Sequence, residues 1–166
     1  MAATPATDSI RPQDILNEVF GYSDFRGPQQ AIVEHLIAGH DALVLMPTGG
    51  GKSLCYQVPA IARQRAGKGV TIVVSPLIAL MHDQVEQLQM AGIRAGFLSS
   101  ENNTDNQKYL GLMSPRRNAA GGYDVELKLV YVTPERLRVD ERLWSTMQYL
   151  ESLKLLDRFV VDEAHW

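Results

Sequence analysis

The chain has 166 residues, of which 45% are hydrophobic and 21% charged, and its formal net charge is −3. That balance supports an ordinary globular core and excludes a disordered chain or a globally basic nucleic-acid binder, so any polyanion contact must be built locally. The single cysteine, Cys55, excludes a disulfide framework and a cysteine-rich zinc site, and no apolar run reaches membrane-spanning length.

In chain order, "MAATPATDSIRPQ" carries no apolar export core and little positive charge, so no leader is expected. "RPQDILNEVFGY" places Ile15, Leu16, Val19 and Phe20 at helical spacing between Pro12 and Gly21, and "GPQQAIVEHLIAGH" repeats the pattern between Pro28 and Gly39. "DALVLM" (41–46) reads as a short buried strand, and a helix follows through "SLCYQVPAIARQ". "VTIVVS" (70–75) is a second strand, and "LIALMHDQVEQLQMAG" an amphipathic helix closed by Gly92. "RAGFLSS" (94–100) gives a third strand, and Thr104 with Gln107 has capping-box spacing for the next helix. "SPRRNAAGGYD" (114–124) is a loop by composition, whose Arg116 and Arg117 could meet DNA, although a solvated surface loop is the favoured reading. "LKLVYV" (127–132), a helix around "ERLWSTMQYLESL" with Trp144 as a packing residue, and "LLDRFVV" (155–161) complete the order.

The strands are apolar on both faces and alternate with helices, the pattern of a parallel sheet covered on both sides. Ligands of such folds sit at the carboxyl ends of strands, which points to the residues just after Met46, Val74, Val132 and Val161. After the first strand comes "MPTGGGKS" (46–53): three glycines let backbone N–H groups turn inward at a helix N-terminus, a cradle for phosphate. Lys52 can reach the β and γ phosphates, and Ser53 can ligate Mg²⁺. Met46 stands where the strict pattern has glycine. "GKG" (67–69) precedes a strand instead of following one, and reads as a solvated turn. At the other end an apolar strand delivers Asp162 and Glu163, suited to hold a metal and to orient water. The competing reading of the pair is a helix N-terminus with favourable acids. Cys55 falls early in the helix after the cradle, where a small apolar core role is the default.

Taken together, these residues resemble the RecQ family of superfamily-two ATP-dependent DNA helicases. "FGYSDFRGPQQ" is similar to the motif upstream of the family's phosphate loop, and "MPTGGGKSLCYQ" to motif I. "VVSPLIALMHDQV" resembles motif Ia, "YVTPERL" motif Ib and "VVDEAH" motif II, so the likeness runs from about Val19 to His165. The resemblance implies that Gln29 reads an adenine edge, with Tyr22 and Arg26 around the base. It implies that Met46, Pro47, Thr48, Gly49, Gly50, Gly51, Lys52 and Ser53 hold ATP and its Mg²⁺, with Lys52 and Glu163 catalytic, Asp162 on the metal and His165 coupling nucleotide state to DNA. It further implies that Ser75, Pro76 and Leu77, with Thr133, Pro134 and Glu135, touch the backbone of single-stranded DNA, although Ser75 and Thr133 equally suit helix capping. Trp166 replaces the family's usual cysteine, and "GPQ" reverses its usual Pro-Gly order.

The fold expected is α/β, a three-layer RecA-like P-loop NTPase domain with a mainly parallel sheet, incomplete at its C-terminal side. Residues 1–20 form a lead and helix, and residues 21–166 the first RecA-like domain. The resemblance implies a second RecA-like domain in cis, a zinc site beyond this chain, and 3′-tailed or single-stranded DNA as partner of the full-length protein. By itself the chain is expected to bind nucleotide weakly, with little DNA-stimulated hydrolysis. The expected location is a bacterial cytoplasm, or the nucleus of a eukaryote. A superfamily-two RNA helicase fragment, a non-catalytic nucleotide-binding remnant and an unrelated α/β domain are the alternatives.

Overall fold

A computed structural model describes residues 10–47, 51–99 and 103–162. The described residues fall into two compact units, one up to Ala66 and one from Gly67 onward.

The first unit holds three helices, α1 (Pro12–Phe20), α2 (Gln29–Ile37) and α3 (Leu54–Arg65). Pro12 opens α1, where its missing N–H costs nothing, and Gly21 closes it in the left-handed conformation (φ 73°), donating its N–H to the Asn17 carbonyl. α3 packs against both other helices. Ile15, Leu16, Val33, Val58 and Ile61 are wholly buried there. Arg63 Nη1 donates to the Ile37 carbonyl at 2.9 Å, which closes the end of α2.

The strand expected over residues 41–46 does not form: these residues join no ladder among the described residues. Leu43 and Leu45 are 85% and 87% exposed, the opposite of the burial expected. An apolar run becomes a strand only when a neighbouring edge takes its N–H and C=O groups, and that is a tertiary condition.

The second unit carries a four-stranded parallel sheet. Its strands are β1 (Val70–Val74), β2 (Ala95–Leu98), β5 (Leu129–Val132) and β6 (Leu156–Val161), in the order β2-β5-β1-β6. The crossovers are α4 (Ile78–Met90), α5 (Asn103–Met113), α6 (Pro134–Val139) and α7 (Glu141–Ser152). Val70, Ile72, Val130, Val132 and Leu98 join Leu110, Met113, Leu143 and Met147 from α5 and α7 in one cluster. The alternate residues Thr71, Val73, Leu129 and Tyr131 are buried too. Both sheet faces are thus covered, as the β-branched strands require. Gly69 (φ 102°) leads into β1 where any Cβ would strike the Leu155 backbone, so only glycine lets β1 and β6 start side by side.

Three local expectations change. The segment 114–124 is not a plain loop: β3 (Arg116–Arg117) and β4 (Tyr123–Asp124) pair antiparallel as a short hairpin. Asn118 Oδ1 accepts from the N–H groups of Ala120 and Gly122 and so organises its turn. Thr104 lies inside α5, which begins at Asn103, and therefore is not its cap. Trp144 packs only in part; it is 45% exposed, and its indole N–H donates to the Leu137 carbonyl.

Candidate nucleotide site

In the first unit a pocket of about 410 Å³ lies between the segment before α2 and the segment before α3. That volume falls in the range of small-ligand sites, roughly 300–1,000 Å³. Tyr22, Arg26 and Gln29 line it together with Met46, Pro47 and Gly51. The residues expected at the base and those at the start of the phosphate loop are therefore brought to one cavity. Tyr22 is 51% exposed and Arg26 is exposed, so both present their side chains at its mouth.

Gln29 is different, being buried at 3% exposure. Its Oε1 accepts from the Arg26 backbone N–H at 2.8 Å, and its Nε2 donates to the Gly51 carbonyl at 3.1 Å. The amide thus ties the base-side wall of the pocket to the phosphate loop. Gly51 sits in the left-handed region (φ 75°), and a Cβ there would collide with the Gln29 amide nitrogen. Glycine is demanded at 51 by backbone conformation and by close approach together.

Lys52 and Ser53 follow as a turn into α3. Ser53 stands at the N-cap with helical backbone (φ −62°, ψ −35°), and its hydroxyl caps no N–H of the helix. Its carbonyl accepts from Gln57 N–H at 2.9 Å, so the helix begins directly under the loop. Cys55 N–H donates to the Lys52 carbonyl at 3.1 Å and Tyr56 N–H to the Ser53 carbonyl at 3.2 Å, so the first turn closes on the end of the loop. Cys55 contacts Met46 Sδ at 3.8 Å, and burial raises its thiol pKa, so the sulfur packs as a neutral apolar group. Thr48, Gly49 and Gly50 lie outside the described residues.

In the second unit a row of polar residues follows the four strand ends. Ser99, Thr133, Ser75 and Asp162 come directly after β2, β5, β1 and β6, and all four are buried. The ladder continues into them: Thr133 N–H donates to Leu98 O, Ser75 N–H to Val132 O, and Asp162 N–H to Val74 O at 2.9 Å. Thr133 Oγ1 accepts from Arg136 N–H and caps α6. Ser75 Oγ accepts instead from Leu77 N–H at 3.4 Å, while Leu77 itself is the N-cap of α4. Pro76 and Glu135 flank these positions, and Pro134 opens α6. Glu163 and His165 lie outside the described residues.

Ser99 and Asn106 belong to this row and were missed in the sequence. Asn106 is wholly buried; its Oδ1 accepts from Ser99 N–H at 2.9 Å, and its Nδ2 donates to Ser99 O. The signal available was position: Ser99 is the first polar residue after an apolar strand, as Ser75 and Thr133 are. Among the described residues no helix is long and apolar enough to cross a membrane.

The chain is 41% identical over 151 residues to an ATP-dependent DNA helicase RecQ of Haemophilus influenzae, covering 91% of this chain and 22% of that one. It is 39% identical over 155 residues to an ATP-dependent DNA helicase Q-like 2 of Arabidopsis thaliana, covering 93% of this chain and 21% of that one. It thus spans about a fifth of the length of these relatives. A DUF1998 helicase, MrfA, crystallised with DNA and AMPPNP, shares the fold with a TM-score of 0.66 at 17% identity, over 95% of this chain and 21% of that one. The DEAD/DEAH box helicase model matches residues 26–166, from the pocket wall at Arg26 through the phosphate loop and the buried row to the acidic pair, and the chain belongs to that family.

Proposed function

We propose that this chain is the ATP-binding motor domain of a RecQ-like 3′-5′ DNA helicase of repair and recombination, in which hydrolysis drives unwinding only in a longer protein with a second RecA-like domain in cis. The observation that carries the reading is the Gln29 amide bridging the base-side wall to Gly51, because it makes one site of the pocket and the phosphate loop. The printed names of the relatives, which are DNA helicases, favour DNA over RNA.

In this reading the adenine enters the pocket against Tyr22 and Arg26, and Gln29 presents its amide edge to the base. Reading the base requires Gln29 to share hydrogen-bonding capacity with Arg26 and Gly51, so base and phosphate recognition are coupled through one side chain. The loop from Met46 and Pro47 through Thr48, Gly49, Gly50 and Gly51 supplies backbone N–H groups, and Lys52 adds a cation for the β and γ phosphates. Ser53 has a hydroxyl uncommitted to capping, a donor suited to a nucleotide-held Mg²⁺, and Asp162 at its strand end has the carboxylate chemistry for the same role. The ion would neutralise charge on the phosphates. Glu163 orients water, and His165 passes nucleotide state on toward DNA. Ser75, Pro76, Leu77, Thr133, Pro134 and Glu135 form the DNA-facing line, with N–H groups at the starts of α4 and α6 as phosphate donors.

Titration with a fluorescent ATP analogue and Mg²⁺ tests the first part. Saturable binding that Lys52→Ala and Gln29→Ala each weaken by about tenfold or more is expected; identical isotherms for all three proteins would sink it. Hydrolysis by this chain is expected to be slow and barely DNA-stimulated, since an arginine finger is commonly worth roughly 10³–10⁵ in rate. In the full-length protein, unwinding of 3′-tailed DNA but not the matching RNA is expected.

A further inference from the structure

The four strands of the sheet are parallel, so all four start on one edge, opposite the carboxyl ends that carry the buried polar row. Every start is preceded by a cation: Arg94 before β2, Lys128 before β5, Lys68 before β1 and Lys154 before β6. Backbone hydrogen bonds hold these starts in line, from Lys128 N–H to Arg94 O, from Thr71 N–H to Lys128 O, and from Val70 N–H to Leu155 O. Strands lie about 4.8 Å apart, so the four strand starts span about 14 Å, with Arg94 and Lys128 level in register and Lys68 and Lys154 two residues further out.

The β3–β4 hairpin adds to this edge, since the chain runs from Asp124 directly into β5 through buried Val125 and Leu127. It presents exposed Arg116 and Arg117, the latter 5.7 Å from the centre of the Tyr123 ring. Four acids share the edge, namely Asp124, Glu126, Glu151 and Asp157, against six cations, in a chain whose overall charge is −3. Glu126 is engaged by Arg94, and Asp124 accepts from Asn118 Nδ2 at 3.2 Å. Lys68, Arg116 and Lys154 have no carboxylate partner among the described residues. Cations near the carboxyl ends of α4 and α7 also favour those helix dipoles, but that effect fades within the last turn. It does not account for two arginines carried outward on a hairpin of their own.

We propose that this strand-start edge is a second, sequence-independent track for a nucleic-acid phosphate backbone, on the side of the sheet opposite the DNA line proposed above. A band of cations along one edge suits a polyanion, and an aromatic ring beside a guanidinium is a platform on which a base can stack. The proposal stands on the second unit alone and does not depend on the nucleotide reading.

The test uses this chain and a single-stranded oligonucleotide of about 16 nucleotides. K68Q/R116Q/R117Q is compared with K108Q/R142Q, which removes exposed cations elsewhere. The edge variant is expected to bind about tenfold or more weakly at low salt. The slope of log affinity against log salt should fall by about 2, near 0.7 for each phosphate no longer neutralised. The control variant should keep both. In the unaltered chain, bound oligonucleotide should protect Lys68 and Lys154 from acetylation and leave Lys108 reactive. Unchanged affinity and slope in a folded edge variant would overturn the proposal, as would unprotected Lys68 and Lys154. Should the edge variant fail to fold, the acetylation pattern decides by itself. Tighter binding of a polyglutamate peptide than of the oligonucleotide would make the edge an acidic-protein site and equally overturn it.

Discussion

Gln29 and Gly51 show how much a single residue pair can hold. Removing the Gln29 amide leaves the Gly51 carbonyl and the Arg26 N–H without these partners in a partly buried setting. Gln29→Ala is therefore expected to cost about 1–3 kcal/mol in urea denaturation, besides its effect on nucleotide. Gly51→Ala combines a positive φ with a collision and should cost at least as much. Cys55 gives a residue-scale prediction in pH. Burial raises its thiol pKa, so the folded chain keeps a proton that the unfolded chain releases. The stability this contributes is complete below the unfolded thiol pKa, about 8.5, and declines as pH rises above it. Chemical denaturation of the wild type should fall more steeply over that alkaline range than that of Cys55→Ala; parallel curves would refute the assignment. The sequence showed Gln29 only through its motif, because nothing in residue spacing reveals which carbonyl an amide will meet across 22 positions.

At the scale of elements, the connection from β5 through α6 to α7 depends on two caps. Thr133 caps α6, and Asp140 both caps α7, accepting from Leu143 N–H at 3.0 Å, and pairs with Arg136 at 2.6 Å. Thr133→Ala should lose about 0.5–2 kcal/mol, and Asp140→Ala more, because it removes a cap and a partly buried ion pair together. Thermal melts of the two variants check the order; equal losses would mean that the ion pair adds nothing. The helices were legible because their apolar spacing and their Pro and Gly boundaries are local: Pro12 and Gly21 bound α1 where the sequence placed them. The capping box at Thr104 was misread because α5 begins one residue earlier. The hairpin at 114–124 was hidden because its turn rests on Asn118 accepting two N–H groups, while its composition reads simply as loop.

For the molecule as a whole, stability and ligand should be linked. A nucleotide that binds only the folded chain stabilises it by about 2.7 kcal/mol at a hundredfold excess over Kd. Mg²⁺–ATP is therefore expected to raise the melting midpoint of the wild type clearly more than that of Lys52→Ala, for which a tenfold loss of affinity leaves about 1.4 kcal/mol of that stabilisation. Ile72→Ala, in the wholly buried centre of the sheet, should cost about 2–5 kcal/mol without moving the midpoint shift that nucleotide produces. By itself the sequence determined the α/β alternation and the parallel sheet, and it marked the glycine-rich and acidic motifs as candidates, because apolar periodicity and glycine spacing are written along the chain. Only the tertiary structure decided that residues 41–46 join no ladder, that Gln29 locks onto Gly51, that Ser99 and Asn106 complete the polar row, and that six scattered cations share one edge. Each of those outcomes depends on which backbone lies beside which, and a linear pattern carries no information about neighbours that only folding brings together.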